Sequence, residues 1–248
     1  MRNGGGFRYV YRCGDDIQEV RMSPPGETLL SLNPADASIA EKLGTLAKGR
    51  GWLHDAVLSR KLFSIESDFV EKNPGAVRPY SEGDAFDPAT EIKLLTNDKA
   101  GSAGRARWYV ASRSVITTGL EHLDRWKVIV LSANAGGQRR DNHIAIVDNH
   151  SAFGRSRVAL RTFATEAEAR NFYRYATSEL IRFAFLLSDE ALTSLAKKVP
   201  DLLDYSDNNG LVDFHGDVDG QLYRLANLTE SEIRHVRVTL ASLRRRTR

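Results

Sequence analysis

The stretch that decides the fold reads Leu123-Asp124-Arg125-Trp126-Lys127-Val128-Ile129-Val130, followed by Ser132-Ala133-Asn134-Ala135-Gly136-Gly137-Gln138-Arg139-Arg140. The first part, rich in β-branched residues, predicts a strand over Trp126–Leu131. The second part, with glycine, asparagine and arginine side by side, predicts an exposed loop. Downstream, Ile144–Val147 and Val158–Phe163 read as strands, and upstream so do Glu91–Thr96 and Ala106–Ala111. These five strands are expected to pair as one antiparallel sheet. Thr165-Glu166-Ala167-Glu168 then has the spacing of a capping box, in which the glutamate reaches back to the cap amide. Phe172, Tyr175, Ala176, Leu180, Phe183 and Leu187 recur at helical spacing, so one helix from about Ala167 to Leu187 should pack on that sheet.

Toward the N-terminus, Phe7-Arg8-Tyr9-Val10-Tyr11-Arg12 alternates apolar and basic residues as a half-buried strand does. A turn at Gly14-Asp15-Asp16 and a partner strand over Ile17–Met22 complete a hairpin. Leu29–Leu32 reads as a short strand. Ala37–Lys48 reads as a helix with Ile39, Leu43 and Leu46 on one face and Gly49 as its stop. Residues 51–72 hold an amphipathic stretch and a Ser59–Ser64 loop, and 73–88 are polar and irregular. Toward the C-terminus a second helix is expected over Asp189–Lys197, then a loop-rich segment over Asp201–Leu225. Thr229-Glu230-Ser231-Glu232 is another capping box and opens a terminal helix running to about Arg245.

The chain has 248 residues, 42% hydrophobic and 27% charged, which is ordinary for a globular protein with a sizeable core. No run of about 18 apolar residues predicts a membrane span, and Met1-Arg2-Asn3-Gly4-Gly5-Gly6 lacks the apolar centre of a signal peptide. Cys13 is the single cysteine of the sequence, so neither an intrachain disulfide nor a multi-cysteine zinc cluster is expected. A cytoplasmic location follows as the expectation. The net charge is only +3, yet between Lys93 and Arg161 twelve Lys or Arg face five Asp or Glu, a surplus of seven positive charges. A basic middle segment of this kind fits a protein with one face toward a polyanion.

Catalytic patterns are weak by comparison. An adenine-methylating loop needs an Asn/Asp-Pro-Pro-aromatic run; Ser23-Pro24-Pro25-Gly26 lacks the ring, and Asn33-Pro34-Ala35-Asp36 lacks both the second proline and the ring. Gly4-Gly5-Gly6 precedes a strand, whereas a cofactor-binding turn follows one. A magnesium nuclease is the first alternative: Asp87, Glu91 and Lys93 have the right types, as do Glu66, Asp68, Glu71 and Lys72, though in neither set is the order usual. His143 and His150 sit in repeated Asp-Asn-His tripeptides without a spaced second ligand pair and read as polar strand ends. No catalytic and no metal-binding residue is therefore assigned. A further alternative is a non-catalytic protein-interaction module whose basic face is incidental.

Double-stranded DNA is the partner these residues fit best. Phosphates are met by Arg, Lys and backbone amides, and base edges by Arg, Asn and Gln. Asn134, Gly136, Gly137, Gln138, Arg139 and Arg140 supply those groups in one loop, where glycine lets the backbone approach closely. Arg105 and Arg107 lead into one strand and Arg113 leaves it. Lys127 lies in the next, and Arg155 and Arg157 stand before another.

The order of these parts resembles the C-terminal portion of type II restriction–modification N6-adenine DNA methyltransferases. The residues that carry the resemblance are Gly5-Gly6-Phe7-Arg8-Tyr9-Val10-Tyr11, Ser59-Arg60-Lys61-Leu62-Phe63, Trp126-Lys127-Val128 with Ala133–Gly137, Phe163-Ala164-Thr165-Glu166-Ala167-Glu168-Ala169, Arg182-Phe183 and Val199-Pro200-Asp201-Leu202, then Leu222-Tyr223 and Leu228–Ile233. It implies an α+β protein: a target-recognition domain over 51–248, with a mixed or antiparallel sheet and packed helices, preceded over 1–50 by a small remnant of an α/β catalytic domain. The implied function is sequence-specific recognition of duplex DNA, with no cofactor in this chain. S-adenosylmethionine and methyl transfer would belong to a catalytic partner subunit, or to a catalytic half upstream of Met1.

Overall fold

The computed structural model describes residues 8–13, 16–21, 33–101, 103–132, 144–187 and 195–245. Strands β1 (Arg8–Cys13) and β2 (Asp16–Arg21) form an antiparallel hairpin. Helix α1 (Pro34–Ala47) starts a turn earlier than its apolar spacing implies. Asn33 Oδ1 accepts the Ala35 amide at 2.9 Å and Pro34 takes the first helical position, both favoured at a helix start. A single-turn helix α2 (Phe69–Lys72) closes the segment 51–72, and a three-residue strand β3 (Val77–Pro79) lies in the segment 73–88 expected to be irregular. Strands β4 (Glu91–Asn97), β5 (Ala106–Ser112), β6 (Trp126–Leu131), β7 (Ala145–Val147), β8 (Ser151–Phe153) and β9 (Arg157–Phe163) follow. Helices α3 (Glu166–Thr177), α4 (Glu179–Leu186), α5 (Val218–Leu225) and α6 (Glu230–Arg245) complete an α+β fold. The strand expected over Leu29–Leu32 and the loop 133–143 lie outside the described residues. So do 189–194 of the helix expected over Asp189–Lys197, whose remaining residues form a turn.

The strands do not pair as one antiparallel sheet. They form a four-stranded sheet in the order β3-β5-β4-β8 and a three-stranded sheet in the order β7-β6-β9. The unexpected member is β8, whose three residues are all buried and therefore show no alternation to read. It pairs with β4 in parallel, Lys93 opposite Ser151 and Leu95 opposite Phe153. The chain thus leaves the smaller sheet after β7, enters the larger one for β8, and returns for β9.

The smaller sheet is covered on both faces. Val128, Val130, Val158 and Leu160 join the helical core formed with Ile39, Leu43, Phe172, Tyr175, Leu180, Phe183 and Val236. Ile129, Val147 and Ala159 point the other way and meet Ile92, Leu94, Tyr109, Ala111 and Ala152 of the larger sheet. A bulge opposite the Val128/Ile129 step gives β9 one extra residue. Leu160 thereby stays in the helical core, while Arg161 reaches Asp201 and lies 5.4 Å over the Tyr205 ring in the same layer.

The helix expected over 167–187 is divided in two. Its start is as expected: Thr165 and Glu168 bond each other's backbone amides in a complete capping box. At its centre the Thr177 hydroxyl donates to Tyr173 O at 2.7 Å and the Ser178 hydroxyl to Tyr175 O, also at 2.7 Å. Such local bonds compete with the helical ladder, and Ser178 turns extended before α4 restarts. Asp219 then accepts the Glu179 amide at 2.6 Å, so α5, an element without a clear sequence signal, caps α4.

Helix α1 belongs to the helical core that also holds residues of α3, α4 and α6. Besides Ile39 and Leu43, it contributes Ser38 and Lys42, which both donate to the Glu232 carboxylate of α6 at 2.7 and 2.6 Å. Burial pushes Glu232 up, but these donors and the Thr229 amide outweigh it and hold the carboxyl down to about 2. His235 and Asp36 add a second tie between the two helices at 2.6 Å.

Phe172 is fully buried and packs 4.8 Å from Tyr205 and 5.2 Å from Phe163, measured between ring centroids. Its truncation to alanine should cost about 3–5 kcal/mol in denaturant unfolding, against about 1 kcal/mol for Thr165→Ala at the cap. Equal effects would contradict the packing described.

Candidate nucleic-acid interface

The register of the strands brings several of the expected DNA-binding residues to one end of the molecule. Strands β4 and β8 are parallel and end together, while β5 starts there, with Asn97 opposite Ala106 and Leu95 opposite Phe153. The turn Gly154-Arg155-Ser156 links the two sheets at this end. The Gly154 amide donates to Leu95 O in the larger sheet at 2.9 Å, and the Ser132 amide, beyond β6, donates to Ser156 O at 3.0 Å. Arg105, Arg107, Arg155 and Arg157 therefore converge here. Asn134, Gly136, Gly137, Gln138, Arg139 and Arg140 lie outside the described residues, though Ser132, which leads into their segment, is at this end.

Two glycines make the convergence sterically feasible. A Cβ on Gly154 would lie 2.4 Å from Thr96 Oγ1, and one on Gly104 would lie 2.1 Å from the carbonyl oxygen of Lys99. Only glycine permits approaches this close without displacing the neighbouring strand or hairpin.

The arginines differ in what already holds them. Arg107 is 63% exposed and its Nε pairs with Asp98 Oδ2 at 3.1 Å. Asp98 Oδ1 also accepts the Arg105 amide at 2.8 Å, which closes the β4–β5 hairpin. That amide bond and the Arg107 charge outweigh partial burial and hold the Asp98 carboxyl below the usual carboxylate range. Arg155 pairs through Nη1 with Glu66 at 2.6 Å, and its amide donates to Ile65 O at 3.2 Å. Arg157 donates from Nη1 to Ser156 O at 3.2 Å, and burial pushes its guanidinium down from the ordinary value.

Two expected residues are elsewhere. Arg113 leaves β5 at the opposite end, where Nη2 grips both oxygens of Asp124 at 2.7 and 2.8 Å and Nη1 donates to Pro88 O at 3.4 Å. Lys127 is not on a surface at all: it is fully buried between the two sheets. Its ammonium donates to the carbonyls of Leu123 and Arg125 at 2.7 Å each and to Asp148 O at 3.4 Å, and it lies 5.8 Å over the Phe63 ring. The correction has a simple cause. The apolar run Val128–Leu131 continues the strand inward on both faces, so Lys127 is carried in with it. Burial pushes its amine down to about 7 despite the opposing pull of Asp148 and Asp124.

Asp87, Glu91 and Lys93, the first set of the nuclease alternative, are also at that opposite end and already have partners. Glu91 accepts Arg78 Nη2 at 3.1 Å and the Asp87 amide at 2.8 Å, while Asp87 accepts the Ala89 amide at 3.0 Å and the Thr90 hydroxyl at 2.8 Å. Lys93 is bonded to Asp148, with its ammonium 5.3 Å over Phe86. In the second cluster Glu66 is paired with Arg155 and Asp68 with Lys72. Among the described residues no group of three His, Cys, Asp or Glu is placed to hold a metal ion.

Asp98, Thr96 and Gly154 belong to this end, yet nothing in the sequence singled them out; Glu66, also here, was read only as a member of the second nuclease cluster. Asp98 counted only against the basic surplus and Glu66 lay outside that window, and the pairing of both with arginines depends on strands and turns being in register. No protein-family model matches the chain, and a search of curated proteins finds no match either.

The buried lysine makes a prediction about pH. Its folded value of about 7 lies below the ordinary 10.5. Between the two, the unfolded chain therefore binds a proton that the native state lacks. The stability of the native protein relative to Lys127→Met should then rise by about 1.4 kcal/mol per pH unit from pH 7 to 9. Urea unfolding of both proteins across that range measures it, and a constant difference would contradict the burial of a titrating amine.

Proposed function

We propose that this chain binds double-stranded DNA in a sequence-specific manner, as the target-recognition part of an N6-adenine DNA methyltransferase in a restriction–modification system. The observation that carries the reading is the convergence of Arg105, Arg107, Arg155 and Arg157 on one end of the paired sheets, beside backbone that only glycine allows. Cations clustered at one end supply phosphate contacts, and an exposed guanidinium among them supplies base contacts.

Methyl transfer is assigned to a catalytic partner or catalytic half that binds S-adenosylmethionine, and the β1–β2 hairpin is read as the edge of that half. This chain contributes the surface that selects the DNA site. The interaction-module alternative is less well supported, since it gives no reason for four arginines to gather where two sheets are joined.

Salt dependence tests the proposal. Duplex binding by the full chain should weaken in Arg105→Ala/Arg155→Ala, and the slope of log K against log salt should become shallower by about one for each phosphate contact removed. Arg113→Ala should leave the slope unchanged. Equal effects at both ends, or no duplex binding by the parent chain at low salt, would refute it.

A further inference from the structure

We infer that Arg107 reads a guanine in the bound duplex and that Asp98 is the positioning residue that aims it; the inference rests on the DNA-binding reading above. The hydrogen bonds around Asp98 carry it. Its amide donates to Arg105 O at 2.9 Å, and its Oδ1 accepts the Arg105 amide at 2.8 Å, so the carboxylate is fixed to the neck of the β4–β5 hairpin. Its Oδ2 takes Nε of Arg107 at 3.1 Å. This ion pair places the Nε edge of the guanidinium beside the carboxylate, and among the described residues neither Nη1 nor Nη2 makes a hydrogen bond. Those two nitrogens form the parallel pair of donors that matches O6 and N7 of guanine in the major groove.

The other arginines of the segment are arranged differently. Arg155 and Arg113 have terminal nitrogens bonded to carboxylates, and Arg161 has both of its terminal nitrogens engaged by Asp201 and Leu203 O. Arg125 bonds through Nε too, but to the neutral hydroxyl of Thr162 at 3.3 Å and at the opposite end of β6. Among the described residues of the segment, Arg107 alone combines a carboxylate beside Nε with high exposure at the end that gathers the cations. Strand parity supports the placement. Arg107 lies on the same face of β5 as Tyr109 and Ala111, opposite Thr96, and Thr96 abuts Gly154 of the turn that joins the sheets.

The inference makes a prediction of unusual sign for Asp98. Removing an acid beside a polyanion strengthens non-specific binding, whereas loss of aim weakens selection. The full chain is used to select duplexes from a randomised double-stranded library, and the base preference at every position is compared with that of three variants. The parent should recover a site containing a guanine preferred roughly 5- to 150-fold, as a good two-donor contact to one base provides. Arg107→Ala and Arg107→Lys should each make that one position degenerate and leave the others. Asp98→Asn should relax the same position while binding a fixed random-sequence duplex as tightly as the parent or a few-fold more tightly. If all positions survive in the Arg107 variants, the inference is wrong and DNA binding stands. If the Arg107 variants lose the guanine but Asp98→Asn keeps it, the positioning role is wrong. If the parent enriches no site, the DNA-binding reading falls, and this inference with it.

Discussion

The structure depends on β6 being buried on both faces. Val128 and Val130 face the helices while Ile129 faces the larger sheet, so one six-residue strand joins the two cores. Burial of this kind favours continuous β-branched apolar residues over strict alternation. The price of the arrangement is Lys127, an amine enclosed between the sheets whose charge is met by three backbone carbonyls and, among the described residues, by no carboxylate in direct contact. Asp148, which lends its carbonyl to Lys127, gives its carboxylate to Lys93 and to the Ser151 hydroxyl. The seam between the sheets is thus apolar along most of its length and polar at one end.

That polarity separates the two ends of the molecule. At the end marked by Lys127, cations are closed into bonds with Asp124, Asp148, Glu91 and backbone carbonyls, and they act in holding the sheets together. At the other end the chain crosses between sheets at Gly154–Ser156, and cations are anchored at one point and exposed at another. Formal charge along the sequence is the same kind of quantity at both ends. The difference lies in which nitrogens of each guanidinium are already bonded.

This explains what could be read from the sequence. The hairpin at 8–21, the strands β4, β5, β6 and β9, and the capping boxes at Thr165 and Thr229 follow from local chemistry, since alternation and caps involve residues close in the chain. Strand β8 and the division into two sheets were not readable, because a three-residue buried strand has no period and a parallel pairing is a long-range choice. The break at Ser178 was hidden by an apolar spacing that runs on across it. Of the candidate site, Arg105, Arg107, Arg155 and Arg157 were legible as basic residues, yet the pairing of Arg107 with Asp98 and of Arg155 with Glu66 was not, because the pairs form only once strands and turns are in register. Lys127 was misplaced for the related reason that charge outweighed its position at the start of a two-faced strand.

The claim that DNA meets one end of the seam is tested most directly by hydrogen–deuterium exchange of the full chain, alone and with duplex DNA at low salt. Slowed exchange is expected over 98–107 and 154–157, with 113–124 unchanged. Slowed exchange confined to 113–124, or no change anywhere under conditions that saturate binding, would contradict it.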